Sequence, residues 1–237
     1  MDVYWSTIYP PEVYADYHML YKEPDLVFKS VLPERDDSNP GDFFACPGFQ
    51  HLLENTFAAR CTVTGDVALR ADGIAPLNDK SNVPAQLFQY WPNSRKQYRV
   101  VNFDHRLLFF CEEPLEMSTS PAFLHRTDFQ SKLMYIPAGY DISKWLRPLQ
   151  GTFEIPADTK ELHFREGDPL YYVKFHTEEK IRLRRFKPNA EIHGVAHGCV
   201  HYKLFRPQQS LGRVYDAFVG SKLPKHVIDQ IKANLLD

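Results

Sequence analysis

The stretch SKLMYIPAGYDISKWLRPLQGTFEIPADTKELHFREGDPLYYVKFHTEEKIRLRRF, residues 131–186, decides the fold. Alternation of period two recurs in it at short intervals, and each run ends in a turn signal. Lys132–Ile136 is apolar and aromatic and stops at Pro137-Ala138-Gly139; Gln150–Ile155 stops at Pro156-Ala157-Asp158. In Glu161–Arg165, Leu162 and Phe164 share one face and His163 and Arg165 the other. Gly167-Asp168 turns the chain into Leu170–His176, where Tyr171, Val173 and Phe175 share a face. Thr177-Glu178-Glu179 turns it again into Ile181–Phe186. Runs of this kind, bounded by Gly, Pro and Asp, mark antiparallel strands half buried against a core. A series of them predicts a mainly β fold: an antiparallel sandwich, a jelly roll or a small barrel.

Working toward the N-terminus, strand signals continue at Leu115–Ser120, Arg106–Cys111, Tyr98–Phe103 and Gln86–Trp91, with residues 72–84 as a loop. Phe57–Thr64 and Asp66–Ala71 read as a hairpin across Thr64-Gly65. Cys46-Pro47 opens a short helix through Asn55, with proline at a favourable first-turn position and Phe49, Leu52 and Leu53 as its apolar stripe. Leu26–Val31 reads as a strand and Pro33–Gly41 as loop. Residues 1–9 (Val3, Trp5, Thr7, Tyr9) read as an edge strand ended by Pro10-Pro11.

After Pro188 the period changes. Residues 189–205 and Leu211–Phe218 have helical spacing, and Pro224 starts a last helix with Val227, Ile228, Ile231 and Leu235 on one face. The reading is a β-rich domain over 1–187 and a helical C-terminal appendage over 188–237, packed on the sheet or on a neighbouring subunit.

The totals fit such a chain. Its 237 residues suit one large domain with an appendage, enough to bury a core without disulfide or metal staples. Aromatic residues reach 14% and prolines outnumber glycines, 18 to 11, as many short strands with proline-bearing loops require. A net charge of −2 supplies no field for nucleic acid or an anionic membrane, so nucleic acid is not an expected partner. No apolar run approaches the roughly 20 residues of a membrane span, and the N-terminus lacks the basic start and apolar core of a signal peptide. Cys46, Cys61, Cys111 and Cys199 form no CxxC; buried free thiols in a reducing cytosol are expected, with a disulfide between two of them left open.

Three constellations carry possible chemistry. In His193-Gly-Val-Ala-His197-Gly-Cys199-Val-His201, a helix sets His193 and His197, or His197 and His201, one turn apart and able to share a metal. All three cannot reach one ion, since eight helical residues span about 12 Å. No acidic residue stands between them to act as a base. Lys180, Arg182 and Arg184 line one face of a strand, a basic ribbon that either meets phosphates or forms a solvated, edge-protecting face. The third constellation is His125, Arg126 and Asp128 together with Tyr140, Asp141, Lys144, Trp145 and Arg147, all at strand ends where sites are commonly built. An arginine and a tryptophan beside an aspartate suit an anionic or planar ligand. The alternative is that Asp128 and Asp141 cap turns while Trp145 plugs the end of the β core.

Two resemblances meet at this third constellation. The order GYDISKW, GTFEI, REGDPLYYVKF resembles the trimeric dUTPase and dCTP deaminase family. That family shows a turn aspartate, a Trp or Tyr a few residues on, two strands, and a Gly-Asp turn into an apolar strand. Asp141, Trp145, Gly167, Asp168 and Leu170–Phe175 match that order. The resemblance implies a dUTPase-like barrel in which Asp141 activates water, Arg126 and Arg147 hold phosphate, and magnesium is required. The family's phosphate motif near 118–126 and its glycine-rich C-terminal arm are missing, and Leu146-Arg147 replaces the glycine after the aromatic residue. The series ACPGF (45–49), ENTF (54–57), LHRTDF (124–129) and FREGDPLYYVKF (164–175) resembles proteins of tailed phages, notably those of cyanobacteria, and a bacterial domain family of unknown function. It implies a viral accessory or virion protein, in the infected cell's cytoplasm or the virion. The expectation is thus a homo-oligomeric β-protein that binds a small ligand or a protein partner through the loops around 124–147, without an assembled catalytic set. The rival readings are a diverged nucleotide hydrolase or deaminase, and a metal-dependent enzyme using His193 and His197.

Overall fold

A computed structural model describes residues 1–8, 22–35, 38–39, 42–70, 73–77, 88–91, 96–205, 208 and 210–236, with backbone alone for 88–91 and 199–205. The first strands and helices are β1 (Asp2–Thr7), β2 (Asp25–Leu26), α1 (Val27–Val31), α2 (Pro47–Leu53), β3 (Thr56–Arg60), β4 (Gly65–Leu69), β5 (Ile74–Pro76) and β6 (Phe88–Trp91). There follow β7 (Tyr98–Phe103), β8 (Leu107–Phe110), β9 (Glu116–Pro121), α3 (Asp128–Lys132), β10 (Met134–Tyr135) and β11 (Ala138–Asp141). The chain continues through β12 (Gly151–Pro156), β13 (Glu161–Phe164), β14 (Pro169–Phe175) and β15 (Arg182–Arg185). It ends in α4 (Ala190–Phe205), α5 (Leu211–Val219) and α6 (Leu223–Ala233).

The protein is mainly β, with helices at its C-terminal end. Among the described residues its strands form four open sheets, ordered β15-β1-β8, β10-β12-β7-β6, β11-β9-β14-β3-β2 and β13-β4-β5, and they do not close into a barrel. All four contribute to one central core, in which Trp5, Phe103, Phe109, Phe164, Tyr171 and Phe175 are almost fully enclosed. Alternation explains this. Tyr171, Val173 and Phe175 of β14 face the central core, while Tyr172 between them faces a smaller cluster under α1 and α2. Likewise Val3 and Trp5 of β1 point inward, and Tyr4 joins Leu108 and Phe110 in a cluster with Ile192, Phe218 and Ile231 of the C-terminal helices. The helical appendage therefore packs on the outer face of the β15-β1-β8 sheet.

Several local expectations need correction. β1 is the middle strand of its sheet: it pairs antiparallel with β8 and parallel with β15, whose expected antiparallel neighbours it replaces. Tyr9 and the prolines after it lie outside the described residues. Leu26–Val31 is mostly the helix α1, because Val27 and Val31, one turn apart, are the buried pair. β3 and β4 do not form a hairpin; β3 pairs with β14 and β2, and β4 with β13 and β5. The loop expected over 72–84 contains β5, and residues 78–87 lie outside the described residues. Lys132 ends a helix, leaving β10 with Met134 and Tyr135, and Pro137 marks a change of sheet between β10 and β11.

The Gly167-Asp168 turn forms as expected. Gly167 takes φ +90°, open to glycine at little steric cost, and the Asp168 carboxylate accepts from the Arg165 N–H at 2.9 Å. No helix among the described residues is long and apolar enough to cross a membrane.

Candidate functional site

The third constellation is split by the register of β9. Asp141 lies opposite Glu116, at the start of β9, and Ala138 opposite Thr119. Residues 124–128 follow Pro121, at its other end. Five steps of about 3.3 Å put roughly 17 Å between the two ends of this strand. His125, Arg126 and Asp128 therefore form one group, and Tyr140, Asp141, Lys144, Trp145 and Arg147 another.

In the second group the polar and aromatic side chains are engaged with one another. Asp141 Oδ1 accepts from the Ser143 N–H (3.0 Å) and hydroxyl (2.6 Å), and Lys144 pairs with Oδ2 at 3.0 Å. Burial raises the Asp141 pKa, but Ser143 and Lys144 outweigh it, and the net shift is downward. This is an aspartate that caps a turn. The Trp145 ring lies 4.7 Å from Tyr140 and 4.5 Å from Tyr215 of α5, with the Arg147 guanidinium 5.7 Å from its centre. Leu146 beside it packs with Ile192 and Phe218. The group thus fastens the helical appendage to the β core.

The first group surrounds a hollow of about 540 Å³, within the usual range for ligand sites. Its walls are the loop after β9 and the helix α3. Thr127 caps α3, its hydroxyl accepting the Gln130 N–H at 3.1 Å. The Gln130 side chain then donates to the carbonyls of Pro169 (2.7 Å) and Leu170 (2.9 Å), holding the helix against β14. Phe129 is buried beneath it, 5.2 Å from Phe153. Phe123 stands 5.2 Å from Tyr172 and remains about half exposed, as does Met134.

A hydrogen-bonded chain runs behind this hollow. The Tyr172 hydroxyl accepts from the Leu124 N–H at 3.3 Å and is bonded to His125 Nδ1. His125 Nε2 lies 3.5 Å from the Ser30 hydroxyl, which donates to the Val27 carbonyl at 2.8 Å. With its proton on that carbonyl, Ser30 is not poised as a nucleophile. Burial, helped by the charge of Arg60, lowers the His125 pKa, and burial raises that of Tyr172. Arg60 forms a bidentate pair with Asp25 and donates to the Gly167 carbonyl.

His193 and His197 lie one turn apart on α4, their rings parallel with centres 6.1 Å apart. No group of three or more His, Cys, Asp or Glu able to hold a metal occurs among the described residues, and the side chains of Cys199 and His201 lie outside them. The charge of His197 is felt at Asp104, in the turn between β7 and β8. Burial raises the Asp104 pKa, partly offset by Arg106, bonded at 2.7 Å, and by His197. In the basic ribbon, Arg182 and Arg184 both engage the Asp2 carboxylate. Cys61 and Cys111 are buried free thiols, the first with its pKa pushed up to about 12 by burial, whereas Cys46 is exposed.

No protein-family model matches the chain, and no curated protein or solved structure is detectably similar to it. Sequence reasoning missed Phe123, Thr127, Gln130 and Met134 as site residues. A signal for the missing helix was present: Thr127-Asp-Phe-Gln130 has the Thr-x-x-Gln spacing of a capping box.

Proposed function

We propose that this chain is a binding protein of the phage accessory or virion type that works as a homo-oligomer. On this reading it seats a small ligand or partner segment in the hollow between Pro121 and Met134. The observation that carries the reading is the contrast between an open, rigidly backed hollow and the engagement of nearby acid–base groups in structural hydrogen bonds. Gln130 and Phe129 fix its wall before any ligand arrives, which lowers the ordering cost of binding. The viral part of the proposal rests on the resemblance of the short series ACPGF, ENTF, LHRTDF and FREGDPLYYVKF to tailed-phage proteins.

The test is a thermal-shift screen of the full chain against small anionic and aromatic compounds, including deoxynucleotides with magnesium, followed by a pyrophosphate-release assay. Stabilisation by at least one compound, lost on substitution of Phe123 or Met134, is expected, without nucleotide turnover. Turnover abolished by Asp141→Asn would overturn the proposal in favour of a nucleotide hydrolase. Light scattering checks the oligomer: a monomer at all concentrations removes that part.

A further inference from the structure

The polar side chains lining the hollow can be taken one by one. His125 is bonded to Tyr172 and lies against Ser30. The Thr127 hydroxyl accepts from the Gln130 N–H, and the Gln130 amide is held by two carbonyls of β14. Asp128 is paired with Lys132 at 2.9 Å, and the Ser131 hydroxyl donates to the Asp128 carbonyl at 2.7 Å. Arg126 remains. It is exposed, and among the described residues no acidic group pairs with it.

The apolar side of the hollow is equally specific. Phe123 is 48% exposed and Met134 54%, an aromatic face and a polarisable thioether bordering the same space as Arg126. Both favour contact with a flat π system. A guanidinium without a partner beside such walls selects for negative charge carried on that system.

Resting on the binding reading above, we propose that the ligand of this hollow is an aromatic anion: a planar ring system bearing a carboxylate, sulfonate or phosphate. The ring lies against Phe123 and Met134, and the anionic group is held by Arg126. A neutral aromatic compound of the same size binds more weakly, because it offers no negative charge for Arg126 to hold.

Two dyes of matched shape test this on the full chain: 8-anilinonaphthalene-1-sulfonate and 1-anilinonaphthalene, which lacks the sulfonate. Titrations followed by fluorescence should show the sulfonate binding more tightly. Arg126→Ala should weaken it by about fivefold or more while leaving the neutral dye unchanged, and Arg126→Lys should restore part of the loss. Phe123→Ala and Met134→Ala should weaken both dyes. All three side chains are exposed, so the variants retain the core. Equal binding of the two dyes, sensitive to Phe123→Ala but not to Arg126→Ala, would refute the anion assignment and leave the hollow as the binding site. Absence of binding by either dye, or binding indifferent to Phe123 and Met134, would refute the hollow itself.

Discussion

At one end of β9 a histidine, an arginine and an aspartate border open space; at the other, an aspartate, a tryptophan and an arginine are each engaged by neighbours in the chain. The residue types are nearly the same, and in sequence the two groups are separated only by the rest of α3, β10 and the start of β11. At the Asp141 end each side chain meets another from the chain itself: Ser143 and Lys144 on Asp141, Tyr140 and Tyr215 on Trp145. At the Arg126 end the scaffold is fastened from behind, through Gln130, Phe129 and Tyr172, and the front is left open. Residue chemistry alone does not make a site. What separates the two ends is chiefly the arginine: Arg147 lies against Trp145, whereas Arg126 borders the hollow with no acidic partner among the described residues.

Removing the backing of the open end should have the largest effect. Phe129 is almost fully enclosed, against Phe153 and Phe164. Phe129→Ala should cost about 3–5 kcal/mol in urea unfolding and should weaken ligand binding in the same variant, because α3 loses its seat. Lost stability with undiminished binding would mean that the hollow does not depend on α3.

The other end should separate these two readouts. Trp145→Ala should destabilise the protein by about 3 kcal/mol, since the indole is only partly buried but contacts two rings. It should leave dye binding at the Arg126 end within twofold. A Trp145 variant of normal stability that no longer binds would reverse the assignment of site and support.

These two ends also show what was legible beforehand. Strand positions could be read wherever alternation set a buried face, as in Leu162 and Phe164 or Tyr171 and Val173, because the pleat fixes which residues face inward. Partners could not be read. β3 bonds to β14 and β1 to β15, across more than a hundred residues, and no local residue records such a choice. That is why Asp141 and Arg126 were expected together: each sits at the end of a strand, but the antiparallel register of β9 and β11 carries them apart. The helix α3 was hidden for another reason. With five residues it has too few turns to show a period, and only its cap marks it.

Acid should distinguish the two ends by its range. The His125 pKa is lowered by burial and by Arg60, so below about pH 6.5 the unfolded chain takes up a proton that the folded site refuses. The folded state loses stability as pH falls from there toward the lowered value, at no more than about 1.4 kcal/mol per pH unit. His105, fully buried with a pKa pushed down to about 3, adds a loss of the same sign over the same range. The contribution of His125 is therefore the difference between the parent protein and His125→Gln in urea unfolding at pH 7.5, 6 and 5. The variant should gain on the parent as pH falls, and parallel curves would show that His125 titrates normally.

The smallest effect belongs to Asp141, and its size decides between capping and catalysis. Its pKa is lowered in the folded state, so the stability it contributes is present above the unfolded value near 3.8 and is lost as pH falls through the folded one. Asp141→Asn keeps an oxygen for Ser143 but gives up the ion pair with Lys144, whose ammonium is half exposed. At pH 7 the variant should be less stable by about 1 kcal/mol or less, and the gap should narrow once the pH falls below the unfolded value near 3.8 and close below the folded one. A carboxylate that works only as a turn cap can be replaced in this way with a small, acid-erased penalty and no change in binding at the distant hollow. If Asp141→Asn left stability untouched at every pH, the carboxylate would be doing nothing for the turn that holds it, and its position beside Trp145 would need a reason outside the fold.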